Sequence, residues 1–152
     1  MGKAERYNDE PIILADGKVY RDGKLVLDAV KCQLVAHLRN WSGSTLANNG
    51  NRSTRITGIT YDGTMTERRS TKWTRDILKD IKAGKTPEFT IQGRIADKGS
   101  SYYKKYGAEI VTAVGCVLTG DIKLIDFDVD SDDVFTDEIA FNAYDVEFKN
   151  KK

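Results

Sequence analysis

From Ala29 to Asn40 apolar and polar residues alternate, with Val30, Cys32, Leu34, Ala36 and Leu38 on one parity and Lys31, Gln33, His37 and Arg39 on the other. A period of two is satisfied by a strand, whose successive side chains point to opposite faces, so one face is expected on a core and the other outward. Thr54 to Glu67 repeats the pattern with different chemistry: Ile59, Tyr61 and Met65 share one face, and Gly58, Thr60, Thr64 and Thr66 the other. A threonine face is neither core nor highly charged surface, and it suits a wet channel or contact with another chain. Gly120 to Phe148 predicts two further strands around an acidic corner, the first carrying Ile122, Leu124, Ile125, Phe127 and Val129, the second Ile139, Phe141 and Ala143. After Ala143 the apolar set moves to Tyr144, Val146 and Phe148, a one-residue phase slip of the kind a bulge produces.

Shorter elements fill the intervals. Asp22-Gly23 after Lys18 to Arg21 is a type I′ turn signal and predicts a hairpin. Asn40 to Ser53 is a run of turn formers with Trp41 at its root and Leu46 in its middle; it predicts a loop too long for a hairpin connection and suited to meeting a partner. Ser70 to Ala83 predicts the one helix, capped by Ser70 or Thr71, with Trp73, Ile77, Leu78 and Ile81 on one face and Gly84 and Pro87 closing it. Phe89, Ile91 and Ile95 predict a strand interrupted at Gly93, Ala96 to Ala108 a polar loop, and Glu109 to Thr119 an apolar strand. The 152 residues are expected to form one domain, with residues 1–10 as a flexible arm.

The start of the chain lacks the apolar segment of a secretion signal, so synthesis and folding in a cytoplasm are expected, and Cys32 and Cys116 read as small buried hydrophobes. The single histidine, His37, sits on a polar face and reads as a solvated or hydrogen-bonded residue. Phosphate-cradling glycine loops, Cys/His metal spacings and nucleophile motifs are missing, which argues against an enzyme and against a cofactor. Asp126, Asp128, Asp130, Asp132 and Asp133 resemble the opening of a calcium loop, but the sixth position is Ser131 where glycine is needed and the twelfth is Asp137 where glutamate is needed. Arg39, Trp41, Arg52, Arg55, Arg68, Arg69, Lys72, Trp73 and Arg75 offer the base and aromatic interleaving of a single-strand nucleic-acid-binding barrel of OB type, although Trp73 belongs to the apolar stripe of the helix. Charge is divided along the chain, with 16 basic against 10 acidic side chains through Lys85 and 8 against 13 beyond it. Such a split suits a protein that stacks on copies of itself.

The helix and the residues just after it, TKWTRDILKDIKAGKTPEFTIQG, carry a pattern of Lys82, Gly84, Pro87, Phe89, Thr90, Ile91 and Gln92. Together with Asp128-Val129-Asp130-Ser131 before an alternating Phe141 to Val146 strand, and with Thr57-Gly58 and Gly63 to Thr66 before the helix, this resembles the tail tube proteins of contractile phages and phage-derived particles, the family typified by the PBSX-like defective prophage of Bacillus. The resemblance implies a mainly β fold, two roughly orthogonal antiparallel sheets forming a sandwich or barrel with one flanking helix. It also implies hexameric rings of this chain stacked into a hollow tube. Its implied partners are a contractile sheath, baseplate and tail terminator proteins, a tape measure protein in the lumen and DNA passing through it, in a virion tail or a phage-tail-like bacteriocin.

On that footing the residues expected at assembly contacts are Trp41 and Leu46 in the loop, Thr60 and Thr64 on the threonine face, and two charged groups. Arg52, Arg55, Arg68 and Arg69 are expected toward one end of the ring, and Asp128, Asp130, Asp132 and Asp133 toward the other, so that stacking brings opposite charges together.

Overall fold

The computed structural model of the chain describes residues 10–151. The expected arm lies outside them save for Glu10, whose carboxylate sits 2.6 Å from Lys104 Nζ and whose carbonyl accepts from the Ser101 amide at 2.8 Å. Eight strands follow one another as β1 (Gly17–Arg21), β2 (Lys24–Leu25), β3 (Ala29–Ser44), β4 (Arg52–Arg68), β5 (Phe89–Ile95), β6 (Ala108–Thr119), β7 (Thr136–Ala143) and β8 (Asp145–Lys151), with helices α1 (Trp73–Lys82) and α2 (Ser101–Tyr106). All pairings are antiparallel, in the order β2-β1-β5-β6-β7-β4-β3, with β8 also on β6.

The sheet is bent and open, and β6 is shared by both halves. Its first seven residues pair with β8 and its last three with β7 in one continuous register, Val114 facing Asp145 and Val117 facing Asn142. The phase slip after Ala143 falls at this bend: Tyr144 leaves the ladder except for its amide, which donates to Val114 at 3.0 Å, and the chain passes from one half to the other. Gly115 opposite it has φ +63°, and a Cβ there would stand 2.8 Å from Tyr144 Cβ, so glycine is what the bend requires. Because the slip accompanies the bend, Phe141 and Val146 both reach the core, while Tyr144 and Phe148 are left exposed.

The core forms between the halves, in keeping with a sandwich left open at its edges. Met65, Ile139 and Phe141 come from one half, Phe89, Ile91, Ala113, Cys116 and Val146 from the other, and Ile77 from α1. Phe89 is the hinge of the aromatic packing, edge-on to Trp73 at 5.2 Å and to Phe141 at 5.7 Å. Burial pushes the Cys116 thiol up to about 11 and raises that of Cys32, so both thiols behave as hydrophobes. Gly63 is pressed against this core: a Cβ would lie 2.4 Å from Phe141 Cζ and 3.0 Å from the Gln33 carbonyl. Gly63→Ala is therefore expected to cost ~1–3 kcal/mol and lower the melting temperature by about 3 to 9 °C. An unchanged thermal midpoint would show that Phe141 can move away, contrary to its burial.

Two strand predictions hold in type and extend in length, since β3 and β4 contain the alternating stretches with the faces expected. The Asp22-Gly23 hairpin is present, with φ +53° and +82° at its two turn residues. Five expectations need correction. Asn40 to Ser53 is not a long loop: β3 runs to Ser44 and β4 begins at Arg52, because the turn formers are held by cross-strand pairs such as Ser42 with Thr54, hydroxyl to hydroxyl at 3.2 Å. Gly93 does not interrupt β5, whose ladders to β1 and β6 pass through it. The polar loop near Tyr102 contains α2, started by Ser100 Oγ accepting from the Tyr103 amide at 3.1 Å. Neither Ser70 nor Thr71 is the N-cap of α1; Lys72 is, and it makes no side-chain cap bond. The first strand of the C-terminal pair is absent too, since residues 121–135 are irregular. There, local bonds from the Asp130 amide to Asp128 Oδ1 and from the Asp133 amide to Ser131 Oγ take the place of a ladder.

Candidate functional site

β4 pairs with β7 only from Tyr61 to Arg68, so its other half, with the facing part of β3, projects as a two-stranded ribbon. A ribbon of two strands is marginal in water by itself. On the face that continues the core side, Ala36 meets Tyr61, Leu38 meets Ile59, and Asn40 meets Ile56, Thr57 being the extra residue of a bulge. Leu38 is 54% exposed and Ile56 61%, with Ile59 at 46%, so among the described residues this apolar face runs out of the core with nothing over it. The opposite face is polar: Gln33 faces Thr64, His37 faces Thr60, and Arg39 lies across Gly58. His37 Nε2 is 3.0 Å from Asp62 Oδ2 on this face, and both side chains are about half exposed, in keeping with a solvated residue.

The ribbon also carries Trp41, Leu46, Arg52 and Arg55. Trp41 faces Arg55 and its ring covers Gly43, while Leu46 stands at the tip, 97% exposed. Arg68 and Arg69 do not join them. They stand at the opposite end of β4, Arg68 as its last residue and Arg69 just beyond it, on the order of 50 Å away at strand spacing, so the four arginines do not form one group within the subunit. Arg69 is engaged within the subunit: it donates to the buried Asp137 at 2.7 Å and to the Lys123 carbonyl at 3.3 Å, and it lies over the Phe135 ring. The Asp137 hydrogen bond raises its affinity for its proton, so it stays charged. Strand order puts β4 and β7 side by side, which is why an arginine and an aspartate 68 residues apart in sequence meet.

Asp128, Asp130, Asp132 and Asp133 lie in the irregular segment, near the same end of β4 as Arg69. Among the described residues no three His, Cys, Asp or Glu side chains converge as metal ligands would. What sequence reasoning missed in this segment is its apolar content left in solvent: Leu124 63%, Ile125 75%, Phe127 83% and Val129 98% exposed. Alternation pointed to a strand, and only the absence of a pairing partner shows otherwise. The residues considered for nucleic acid are dispersed over the ribbon, the far end of β4 and α1, where Trp73 is packed on Phe89.

A family model described as phage tail tube protein matches residues 9–150. No curated protein sequence matches. The fold is similar to a chain in the structure of the anti-feeding prophage cap, a tube terminating cap, with TM-score 0.74 and 13% identity over 99% of this chain and 97% of that one. It is also similar to a chain of the sheath-tube complex of an extracellular contractile injection system, PVC, in its extended state, with TM-score 0.71 and 13% identity over 93% of each chain. A chain in the virion of a native gene transfer agent particle matches with TM-score 0.55 and 11% identity over 92% of this chain and 98% of that one.

Proposed function

The chain belongs to the phage tail tube protein family and is a structural subunit of a tail tube, and on that premise we propose that it polymerises as hexameric rings stacked into a hollow conduit inside a contractile sheath. The observation that carries the proposal is the projecting ribbon, whose apolar face extends the core side beyond the cover that the described residues supply. A neighbour in the ring lies over that face and adds strands to it, and the exposed threonines Thr60 and Thr64 on the other face line the lumen. The subunit does no catalysis. It is made in the bacterial cytoplasm and matures in the tail of a virion or of a phage-tail-like particle, where baseplate and terminator proteins close its ends. A tape measure protein occupies the lumen before DNA passes. The tube-like neighbours in fold support this reading, their particles including a cap and a sheath.

Electron microscopy of the purified chain at rising concentration is expected to show rings or tubes. A Thr60→Pro variant should show neither, because proline removes a ladder donor from the ribbon. A parental chain that stays monomeric at every concentration would sink the proposal.

A further inference from the structure

We propose that the arginine-bearing end of the β3–β4 ribbon is an arm that seats on the apolar, acidic segment 121–134 of a second copy of this chain. The inference rests on the tail tube reading and names the surface on which one ring receives the next. From Leu38 to Thr60 the ribbon carries Arg39, Arg52 and Arg55 and no carboxylate, beside the exposed Trp41 and Leu46. Segment 121–134 holds six aspartates and one lysine, Lys123, which is already paired with Asp126 at 3.0 Å. Between the aspartates stand Leu124, Ile125, Phe127 and Val129, and Val134 follows the last of them, all exposed. The two surfaces thus match in both properties, basic and apolar against acidic and apolar.

Their placement forbids a contact within one subunit. The arm leaves one end of β4, and segment 121–134 is tied to the other, through Arg69 to the Lys123 carbonyl and through the Arg69 amide to Phe135. A second copy displaced along β4 presents the one to the other, and the contact then repeats from copy to copy in one direction. An inverted copy would set arm against arm, where only like charges meet.

Charge exchange tests this. Asp128 and Asp133 brace the turn, through the Asp130 and Val134 amides respectively, so the reversed pair is Asp130→Arg with Asp132→Arg. Its counterpart on the arm is Arg52→Glu with Arg55→Glu. Each pair alone is expected to raise the concentration needed for tubes about tenfold. The chain carrying all four changes, and an equimolar mixture of the two variants, should return toward the parental value. If the combined chain is as impaired as the two effects together predict, or if both variants polymerise like the parent, the arm does not seat on this segment. In both outcomes the tube reading stands. If the parental chain itself forms neither rings nor tubes, the tube reading and this inference fall together.

Discussion

A Leu38→Asp/Ile59→Asp double variant is expected to fold as a subunit and to form no tubes at concentrations where the parent does. The two residues are cross-strand partners on the apolar face of the ribbon, each roughly half exposed. Completing the burial of two such side chains against a neighbour is worth ~2–3 kcal/mol, about a hundredfold in association for each contact. Aspartate forfeits that gain and adds the cost of drying a carboxylate with no partner, so the contact is lost outright. The free subunit loses little, since substitutions at exposed positions usually fall within about 0.5 kcal/mol. Sedimentation velocity and thermal unfolding separate the two effects. Tubes at the parental concentration would mean the face is simply solvated, whereas a melting temperature lowered by ten degrees or more would mean it packs within the subunit.

The second large effect concerns stability. Arg21 on β1 and Glu67 on β4 form a buried ion pair at 2.8 Å, and the Arg21 guanidinium lies 3.9 Å from the centre of the Trp73 ring. One side chain from each half of the sheet and one from the helix therefore meet at a single dry point. Glu67→Ala leaves a buried guanidinium without a counter-charge and is expected to cost ~3–5 kcal/mol, enough to leave a small domain close to unfolded at body temperature. Arg21→Met with Glu67→Leu removes both charges and fills the space, and should recover most of the loss. Denaturant unfolding of the three variants decides the matter. Parental stability in Glu67→Ala would show that water reaches Arg21, and failure of the apolar pair to recover would show that the charges carry more than packing does.

That ion pair illustrates what could not be read from the sequence. Arg21 is the last residue of a short strand and Glu67 the last but one of a long strand, 46 positions apart in the sequence; nothing local announces that strand order brings them together. Facing patterns within a strand were legible, because the parity of Cys32, Leu34, Ile59 and Met65 depends only on backbone geometry. The slip at Tyr144 was legible for the same reason, although its cause is a bend between sheet halves and not a bulge. Where the reading failed, the deciding term was pairing. Ser42 and Gly43 look like loop residues yet lie in a ladder, while Ile125 and Phe127 look like strand residues yet lack one. Of the candidate assembly residues, Trp41, Leu46, Arg52 and Arg55 share one ribbon, but Arg69 is committed to Asp137 inside the subunit.

The length of β4 has a mechanical meaning. It runs unbroken from the projecting arm to the segment proposed to receive the next one, and its ladder with β3 pairs Ser44 with Arg52 at one end and Ala29 with Glu67 at the other. Tension applied between successive rings would pull along this strand, so its hydrogen bonds would be loaded in shear and would share the force. A hairpin pulled apart from its open end instead yields one bond at a time. Thrust through the column would be carried along the same strand, and the subunit would transmit it as a strut.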